Sequence, residues 1–562
     1  MLGLRKVMAA VPGHTVEELI HHWSLIHPDT EAFVSYAPDT HERRSLTRND
    51  VHVLSRKFAA KLRQFGVGKG DVVCVSLPNC LERVVADFGT ICSGAIALNG
   101  QVFRADGEDL IHAINISKAK AVVLDPTSTT GAWAILKKYV TELDCDVKCD
   151  ALPHLRRVIS CRRNDANLDL DFFTDLRDFN KSLQRAHALT SDVAVIWTTS
   201  GSTGYSKLVP QTHENLTHIA LQVLHISGLR GGERLLNCAP LGWAGGFPLW
   251  FLASGATRVF VDTRRGPPRD MAAALWECVQ REKCVYVFAS PMYVSSILER
   301  PELWQEENHA NAVWKPRGIC IAGQPMKRFV VAAAGGRLCE HIDINYGTTE
   351  CGVIATTRVT DPDTFFDGVT GRAAPGTEIR VVDEGLNDVG MGETGEILAR
   401  NPALYGKYLD NEEAARRAFT QDGWFRTDDV GYFLPDRQLV HLGRRCDVIT
   451  RGAYLCYPGW LETLLRRAPG VRDVCVVPVP DPVLHHEICA CVVPAHLPPP
   501  ADFEASLRSF ADSQLLTQPG DSQHMIPKYY VTLPSLSLTP TGKISRREVG
   551  ELARKELGLF EQ

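Results

Sequence analysis

The sequence predicts an α/β protein with a large N-terminal domain of layered α/β subdomains plus a distorted β-barrel, followed by a small α+β C-terminal domain. Three observations support this prediction. The length of 562 residues exceeds that of one ordinary domain. Before Gly368, short apolar runs alternate with amphipathic segments of helix length. After Gly368, strand-like runs follow one another with turn-rich connections, and the pattern changes again after Arg444.

The first part of the chain has the alternation expected of layered α/β subdomains. Its strand-like runs are DVVCVSL, AKAVVLD, RLLNCAP, TRVFVD, VYVFASP and GICIAG. Continuous apolar runs of this length are typical of parallel strands that are buried on both faces. Between them lie helix-length stretches such as LERVVADFGTICSGA. At the start, Thr15 and Glu18 have the spacing of a capping box for a first helix through EELIHHWSLIH.

The later part of the chain divides into two further regions. The runs TEIRVVD, GEILAR and RQLVHLG are strands of a distorted antiparallel barrel or sheet. Beyond them, VRDVCVVPVPD and EICACVVPA form a strand pair, ADFEASLRSFADSQL a helix and KYYVTLPSL a further strand. We therefore predict a large domain over residues 1–442, a connection at 443–447 and a small domain over 448–562.

Composition and charge exclude several classes of function. Apolar residues make up 44% and charged residues 23% of the chain, as in ordinary globular proteins. A formal charge of −5 gives no general attraction to nucleic acid or to an anionic membrane, which favours a small-molecule partner. No apolar run approaches the roughly 18 residues of a transmembrane helix. Seventeen scattered cysteines indicate reduced thiols and a cytoplasmic protein, although Arg5 and Lys6 give the N-terminus a faint mitochondrial character.

A polar loop after the strand VAVIWTT has the composition of a phosphate-binding loop. Glycines allow close approach of the backbone to a phosphate, hydroxyl and amide groups donate hydrogen bonds, and a lysine adds positive charge. The loop is not a Walker A motif, which would need glycine at Ser206 and serine or threonine at Leu208. A surface turn rich in serine and glycine is the alternative interpretation. The loop residues with candidate roles are Thr199, Ser200, Gly201, Ser202, Thr203, Gly204 and Lys207.

Further motifs follow this loop in a specific order. They are Ile321-Ala322-Gly323-Gln324-Pro325, Asn345-Tyr346-Gly347-Thr348-Thr349-Glu350, Gly423 to Asp429, Gly443 to Ile449 and Pro540 to Arg546. In this order and over nearly its whole length, the chain resembles the adenylate-forming acyl-activating enzymes. That family includes acyl-CoA and aryl-CoA synthetases, nonribosomal adenylation domains and luciferases. The order of the motifs is more specific than any one of them.

The resemblance implies a reaction and its ligands, which are ATP, Mg²⁺ and coenzyme A. In the family reaction a carboxylic acid attacks the α-phosphate of ATP, pyrophosphate leaves, and a thiol then takes the acyl group. Because a carboxylate and a phosphate repel each other, the site must supply positive charge between them. The resemblance gives this task to Lys543 and implies that the C-terminal domain carrying it is mobile.

The resemblance also assigns roles to residues of the large domain. It implies that Tyr346 stacks on adenine, Thr349 touches the α-phosphate and Glu350 holds Mg²⁺, a cation that prefers oxygen ligands. It implies that Asp429 accepts the ribose hydroxyls with help from Arg444. The catalytic candidates are thus Lys543, Thr349 and Glu350, and Glu350 is also the metal ligand. The remaining implied nucleotide contacts are Gly323, Gln324, Pro325 and Gly347.

Some positions depart from the family pattern. The resemblance implies a hinge at Cys446, where relatives usually have Asp or Lys, and contacts to coenzyme A from Arg451 and Gly452. Ala453 replaces a glycine in the loop implied to contact the thiol acceptor, and Trp460 replaces an acid. Asp428 replaces the glycine that normally precedes the ribose-binding aspartate. These changes bear mainly on the thioester step, since a methyl group can narrow a tunnel that backbone must line.

The acid-binding pocket is implied at Trp243, Ala244, Phe247 and Asn345. Trp243 stands where many relatives have a histidine, and its flat indole favours either stacking on an aromatic acid or a shortened cavity. A tryptophan that only fills the core is the alternative. The segment Lys207 to His213 looks closer to enzymes that adenylate hydroxybenzoates.

Three functional hypotheses follow from the sequence. The first is ATP-dependent activation of a fatty or aromatic carboxylic acid to an acyl-adenylate, followed by transfer to coenzyme A. The second is an adenylating enzyme that loads a separate carrier protein. The third is a degenerate member of the family that binds a nucleotide or an acyl ligand without turnover. The sequence makes no prediction of the oligomeric state.

Overall fold

The fold is mixed α/β. The computed structural model describes residues 13–100, 107–128, 131–140, 143, 146–161, 172–179, 187–199, 206–305, 313–323, 328–451, 454–481, 484–516, 525–539 and 542–559. The helices are α1 (Val16–Leu25), α2 (Arg48–Gln64), α3 (Leu81–Cys92), α4 (Glu108–Ile116), α5 (Ala132–Leu136), α6 (Phe172–Asp178), α7 (His213–Ser227), α8 (Leu249–Ser254), α9 (Met271–Glu282), α10 (Pro291–Leu298), α11 (Arg328–Ala334), α12 (Glu412–Ala418), α13 (Pro458–Leu465), α14 (Phe503–Leu515) and α15 (Arg546–Leu557).

The strands belong to four sheets. The first strands are β1 (Glu31–Ala37), β2 (Glu42–Thr47), β3 (Val72–Ser76), β4 (Ile96–Asn99), β5 (Ala121–Leu124), β6 (Arg157–Ser160), β7 (Val193–Thr198), β8 (Leu208–Thr212), β9 (Arg234–Asn237), β10 (Thr257–Val261), β11 (Tyr286–Ala289) and β12 (Gly318–Ala322). The others are β13 (His341–Thr348), β14 (Gly352–Val359), β15 (Val369–Ala373), β16 (Glu378–Val382), β17 (Gly395–Arg400), β18 (Phe425–Phe433), β19 (Leu439–Arg444), β20 (Ile449–Arg451), β21 (Tyr454–Cys456), β22 (Val471–Asp481), β23 (His485–Pro494) and β24 (Tyr529–Thr532).

A six-stranded sheet has the order β6-β5-β3-β4-β7-β8. All its neighbouring strands are parallel except β7 and β8, which form an antiparallel pair. Every residue of β5 is buried, as the continuous apolar run AVVL predicts for a strand covered on both faces. Thr199 and Lys207, the described ends of the polar loop, directly follow β7 and precede β8.

The largest sheet contains thirteen strands in the order β16-β17-β18-β19-β15-β14-β13-β12-β11-β9-β10-β1-β2. Its strands from β9 to β13 pair in parallel with their neighbours, whereas β13 to β19 pair in antiparallel fashion. The change from parallel to antiparallel pairing confirms the change of pattern read near Gly368, although it begins one strand earlier, at the β13–β14 hairpin. Closure of the antiparallel strands into a barrel remains a prediction.

The small α+β unit consists of a three-stranded sheet, β22-β23-β24, and helices α13, α14 and α15. One apolar cluster contains Leu461 of α13, Val474 and Leu507 of α14. A second cluster contains Val477, Cys489 and Val549 of α15. Alternating side chains of β22 thus enter two different clusters, as expected for a sheet covered on both faces.

The predicted start of the first helix is confirmed. The hydroxyl of Thr15 accepts a hydrogen bond from the backbone N–H of Glu18 at 3.3 Å. The carboxylate of Glu18 accepts one from the backbone N–H of Thr15 at 2.8 Å. This reciprocal pair satisfies two N–H groups that the first turn of a helix leaves without partners.

Among the residues that the structure describes, none of the helices combines the length and the apolar character that a bilayer crossing needs.

Candidate active site

The described ends of the polar loop are tied together by the backbone. The N–H of Thr199 donates to the carbonyl of Lys207 at 3.0 Å. The amino group of half-buried Lys207 lies 4.8 Å from the ring centroid of Tyr408, a cation–π distance. The amino group of Lys207 is thereby directed toward Tyr408. Several predicted site residues lie outside the described residues, namely Ser200, Gly201, Ser202, Thr203, Gly204, Gln324, Pro325 and Gly452.

The turn between β13 and β14 carries Thr349 and Glu350. Gln211 of β8 donates its side-chain N–H to the carbonyl of Thr349 at 3.0 Å, which links the two large sheets. The hydroxyl of Tyr408 donates to Oε1 of Glu350 at 2.8 Å. Tyr408 is 4% exposed, so this bond fixes the carboxylate from a buried side chain. The ring that supports Lys207 therefore also orients Glu350.

Gly347 is required by close backbone approach within the same hairpin. A Cβ atom at this position would lie 2.2 Å from the carbonyl oxygen of Gly352. Gly323, which follows β12, has a φ of 90°, a left-handed conformation that side chains with a Cβ rarely adopt. Both predicted glycine positions are thus set by backbone geometry.

Asp429 of β18 is the centre of a buried polar cluster. It is 3% exposed and accepts a hydrogen bond from the hydroxyl of Tyr346 at 2.6 Å. Arg444 of β19 pairs with it at 3.1 Å, and Nε2 of His441 lies 3.6 Å away. The rings of Tyr346 and His441 are 5.0 Å apart between centroids. Two residues predicted to bind adenine and ribose are therefore in direct contact.

The partners of Asp429 keep it ionised. Burial alone would raise the pKa of this carboxyl, but the hydrogen bond and charge of His441, the charge of Arg444 and the hydroxyl of Tyr346 together lower it. The preceding residue, Asp428, has a φ of 58°. This left-handed conformation explains why a glycine suits that position, and aspartate is among the residues that tolerate it best.

Lys543 of the small domain lies at this cluster. Its turn is closed by a hydrogen bond from its backbone N–H to the hydroxyl of Thr539 at 3.1 Å. The pKa of Lys543 is lowered, first by burial and then by the charge of Arg444, whereas the charge of Asp429 raises it. Lys543 is exposed to solvent, and its charge interacts with those of Arg444 and Asp429. A Cβ added to Gly542 would lie 3.9 Å from Cε of Met292 in α10.

Ion pairs fix the segment that was predicted to connect the two domains, on both sides of Cys446. On the side of the large domain, Arg445 pairs with Glu396 at 3.2 Å. On the side of the small domain, Asp447 pairs with Arg546 at 3.3 Å, and Arg546 also donates to Glu462 at 2.9 Å. Cys446 itself is exposed, within a short 3-10 helix over Arg445–Asp447.

Arg451, predicted to contact coenzyme A, has its described contacts within the small domain. Its guanidinium forms two hydrogen bonds with the carboxylate of Glu487, at 2.7 and 3.0 Å. Glu487 is 2% exposed, so the pair is anchored in the β20–β23 region. The charge of Lys543, in contrast, interacts with Asp429 and Arg444.

The predicted acid-pocket residues divide into two groups. Trp243 and Ala244 are half-buried in the loop after β9. Asn345 is 9% exposed, and its amide is held by the hydroxyl of Thr356 at 2.7 Å and by the sulfur of Cys320 at 3.1 Å. Phe247, in contrast, is 2% exposed and packs against Phe88 and Trp197. Phe247 therefore supports the loop from the core and does not line an open cavity.

Sequence reasoning missed three residues that the fold adds to the site. They are Tyr408, which orients Glu350, His441, which contacts Asp429, and Gln211, which holds the carbonyl of Thr349. None of them lies in a motif with a recognised spacing. The sequence signal was their position close to a motif or strand already identified. His441, for example, lies two residues before Gly443.

Comparison with known proteins identifies two matching family profiles. The AMP-binding enzyme profile matches residues 20–409. The profile of the AMP-binding enzyme C-terminal domain matches residues 461–543. The two matches leave between them the segment that contains Asp429, Arg444 and Cys446.

Individual relatives are similar over most of their length. A 2-hydroxy-7-methoxy-5-methyl-1-naphthoate–CoA ligase of Streptomyces carzinostaticus is 28% identical, with 87% of this chain and 85% of that protein covered. A salicyl-AMP ligase/salicyl-S-ArCP synthetase of Mycobacterium tuberculosis is 26% identical, with 96% and 90% covered. The crystal structure of the anthranilate CoA ligase AuaEII with anthranoyl-AMP has a TM-score of 0.81 at 20% identity, with 97% and 98% covered. This last likeness concerns the fold.

Proposed function

The chain belongs to the AMP-binding enzyme family, and we propose that it is an acid–thiol ligase acting on an aromatic carboxylic acid. The enzyme would join the acid to the α-phosphate of ATP with release of pyrophosphate. It would then transfer the acyl group from AMP to the thiol of coenzyme A. Its scattered cysteines favour a reducing compartment, and we place the reaction in the cytoplasm.

The observation that carries this proposal is the electrostatic interaction of Lys543 with Asp429 and Arg444. An amine from the small domain interacts electrostatically with both of these side chains of the large domain. A cation supplied by Lys543 can neutralise the repulsion between a carboxylate and a phosphate as they approach each other. Lys543 is thus our candidate for the group that stabilises charge during adenylation.

The nucleotide would lie between the motifs of the large domain. Lys207 and the polar loop would face the phosphates, with Thr349 near the α-phosphate. The adenine would be bordered by Tyr346, Gly323 and Gly347. Asp429 would accept hydrogen bonds from the ribose hydroxyls, with Arg444 paired to it. The lowered pKa of Asp429 supports this role, because an ionised carboxylate is the stronger acceptor for hydroxyl donors.

Glu350 fits a magnesium ion that is shared with ATP. Among the described residues, no group of three or more His, Cys, Asp or Glu side chains could hold a metal by itself. A single oriented carboxylate is sufficient, since Mg²⁺ is usually bound by one or two carboxylates together with substrate phosphates. When bound, the ion would offset negative charge on the phosphate oxygens. Glu350 would hold it, and Tyr408 would keep Glu350 in place.

Replacing Tyr408 with phenylalanine is therefore expected to weaken Mg²⁺ binding. A hydrogen bond to a charged group contributes about 1.5–3 kcal/mol, so the Mg²⁺ concentration for half-maximal adenylation should rise about tenfold. Calorimetric titration of Mg²⁺ into the ATP complex gives a second measure. Tyr530→Phe is the control, because it removes the hydroxyl of another buried tyrosine, in β24 and in a different apolar cluster from Tyr408. Equal effects of both substitutions would contradict the proposed role.

The pH dependence of adenylation should follow Lys543. Only the protonated amine carries the required charge, and the pKa of Lys543 is lowered in the folded protein. Activity is therefore expected to fall as pH rises through a value below the ordinary lysine pKa. In the variant Lys543→Arg the guanidinium stays protonated, so the fall in activity should occur at a higher pH, even if the maximal rate of this variant is lower. If the activity of Lys543→Arg falls at the same pH as that of the unmodified enzyme, another group causes the fall.

Trp243 and the relatives support an aromatic acid. The indole of Trp243 is half-buried in the loop after β9 and offers a face on which a ring can stack. The naphthoate–CoA and salicyl-AMP ligases are named for aromatic acids. Trp243, Ala244 and Asn345 would line the pocket, with Phe247 behind them.

The thiol step would require rotation of the small domain about Cys446. Because Arg445 is tied to the large domain and Asp447 to the small one, Cys446 is the residue between them that can absorb the rotation. Arg451 and Gly452 would then face the cleft in place of Lys543. A separate carrier protein is the second candidate acceptor, favoured by the similarity to the salicyl-S-ArCP synthetase.

A pyrophosphate-release assay with product analysis tests the proposal. The acids are hydroxybenzoates, aminobenzoates, naphthoates and fatty acids, each supplied with ATP and Mg²⁺, with and without coenzyme A. We expect release with an aromatic acid and an acyl-CoA product. Adenylate that accumulates without thioester would favour the carrier-protein candidate. No release with any acid would favour a binding protein without turnover.

A further inference from the structure

A fully buried arginine lies beneath the loop that carries Trp243. Arg258 is the second residue of β10 and is 2% exposed. Its guanidinium donates to the backbone carbonyls of Ala239 at 2.8 Å, Asn237 at 3.3 Å and Gly246. These carbonyls belong to the end of β9 and to both ends of the loop. One side chain therefore ties the loop's entry to its exit.

The charge of Arg258 is not balanced by an acid. Within the described part of the chain, no carboxylate pairs with it, and the interactions described for its N–H groups are with those carbonyls. Burial lowers the pKa of Arg258 to about 9, which still leaves it protonated at neutral pH. Burying an unpaired cation costs free energy. The compensation comes from loop carbonyls that must point inward, so the charge and the loop conformation depend on each other.

The side chains of two asparagines also hold the loop that carries Trp243. Asn237 donates to the carbonyl of Gly245 at 2.9 Å and accepts from the N–H of Ala239 at 2.9 Å. Asn79 accepts from the N–H of Leu241 at 2.7 Å. The loop is thus held by side chains from three separate parts of the large domain.

The loop also has little free space around it. A Cβ atom added to Gly246 would lie 1.7 Å from the carbonyl oxygen of Pro240. One added to Gly242 would lie 2.1 Å from Oδ1 of Asn99. Trp243 lies between these two closely packed glycines. A shift of the loop would therefore move the backbone of Trp243 and its indole.

We propose that Arg258 is a positioning residue that sets the placement of Trp243 and through it the selectivity for the acid. This inference rests on the proposed function, in which Trp243 lines the acid pocket. Arg258 would act through the loop and would not touch the acid. Loss of its hydrogen bonds would release the loop while leaving the nucleotide contacts of Tyr346, Asp429 and Arg444 in place.

The test compares Arg258→Met with Arg48→Met. Arg48 is also 2% exposed and also donates to backbone carbonyls, those of Ile26 and Gly255, but it does not hold this loop. It therefore controls for the general cost of losing a buried arginine. For each variant we would measure KM and kcat with several acids, KM for ATP, and hydrogen exchange of peptides covering residues 238–248.

In Arg258→Met, KM for the preferred acid should rise about tenfold, the preference among acids should narrow, and KM for ATP should stay within about twofold. Exchange over residues 238–248 should accelerate in this variant and not in Arg48→Met. Should Arg258→Met fail to fold, Arg258→Lys gives the same comparison with the charge retained. Unchanged exchange and an unchanged acid preference in a folded Arg258 variant would overturn the inference. If the unmodified enzyme adenylates no acid, the proposed function fails, while the exchange measurement still decides whether Arg258 holds the loop.

Discussion

Replacing Lys543 with alanine is expected to lower the rate of adenylate formation by about a hundredfold to a thousandfold, the range found when one charge-stabilising donor is removed. The reason is the proposed role of its amine, which is to neutralise the repulsion between the carboxylate and the α-phosphate; its charge already interacts with Asp429 and Arg444. Stopped-flow measurement of pyrophosphate release with saturating acid and ATP would give this rate directly. The KM values for both substrates should change less than kcat.

The same variant separates the two half-reactions. When acyl-adenylate and coenzyme A are supplied, thioester formation should stay within about twofold of the unmodified rate, because Lys543 would act only in the first step. Lys555→Ala, in an exposed part of α15, is the matched control and should leave both steps unchanged. Equal losses in both half-reactions of a correctly folded Lys543→Ala would refute the division of labour between Lys543 and the segment after the hinge.

Replacing Glu350 with glutamine should have an effect of similar size. The amide keeps an oxygen that can accept the hydrogen bond from Tyr408 but removes the charge that would hold Mg²⁺. We expect adenylate formation to fall by about a hundredfold or more at ordinary Mg²⁺ concentrations. A large excess of Mg²⁺ should recover part of the loss. Titrations of Mg²⁺ and of Mn²⁺ at fixed ATP would show this as a shift in half-saturation.

Glu378→Gln is the control for that substitution. Glu378 is an exposed acid on β16 that pairs with Arg400 at 3.0 Å, so its neutralisation should leave the metal dependence unaffected. A Glu350→Gln variant with reduced activity but an unchanged Mg²⁺ requirement would argue for a purely structural role of Glu350.

Much of the fold could be predicted from local patterns. Continuous apolar runs such as AVVL identified the buried parallel strands, and the reciprocal spacing of Thr15 and Glu18 identified the first helix start. Both signals depend on residues close together in sequence. Pairing between distant strands has no such local signal. The joining of the antiparallel strands to the parallel ones in a single thirteen-stranded sheet was therefore visible only in the structure.

The candidate site residues that the sequence predicted are those that lie in motifs. The structure brings Tyr346, Asp429 and Arg444 into one cluster. The charge of Lys543, about two hundred residues from Tyr346 in the sequence, interacts with Asp429 and Arg444. Tyr408, His441 and Arg258 were not found, because their roles depend on burial and on partners far away in the chain. Phe247, also predicted for the pocket, packs against Phe88 in the core.

We propose that this protein joins an organic acid to AMP before any thiol takes part. Isotope exchange between labelled pyrophosphate and ATP, measured without coenzyme A, tests it most directly, since exchange requires reversible formation of the adenylate. We predict exchange that depends on the added acid, is strongest with an aromatic acid and is lost in Lys543→Ala. Absence of exchange with every aromatic and fatty acid tested, in folded protein that binds ATP, would contradict the account.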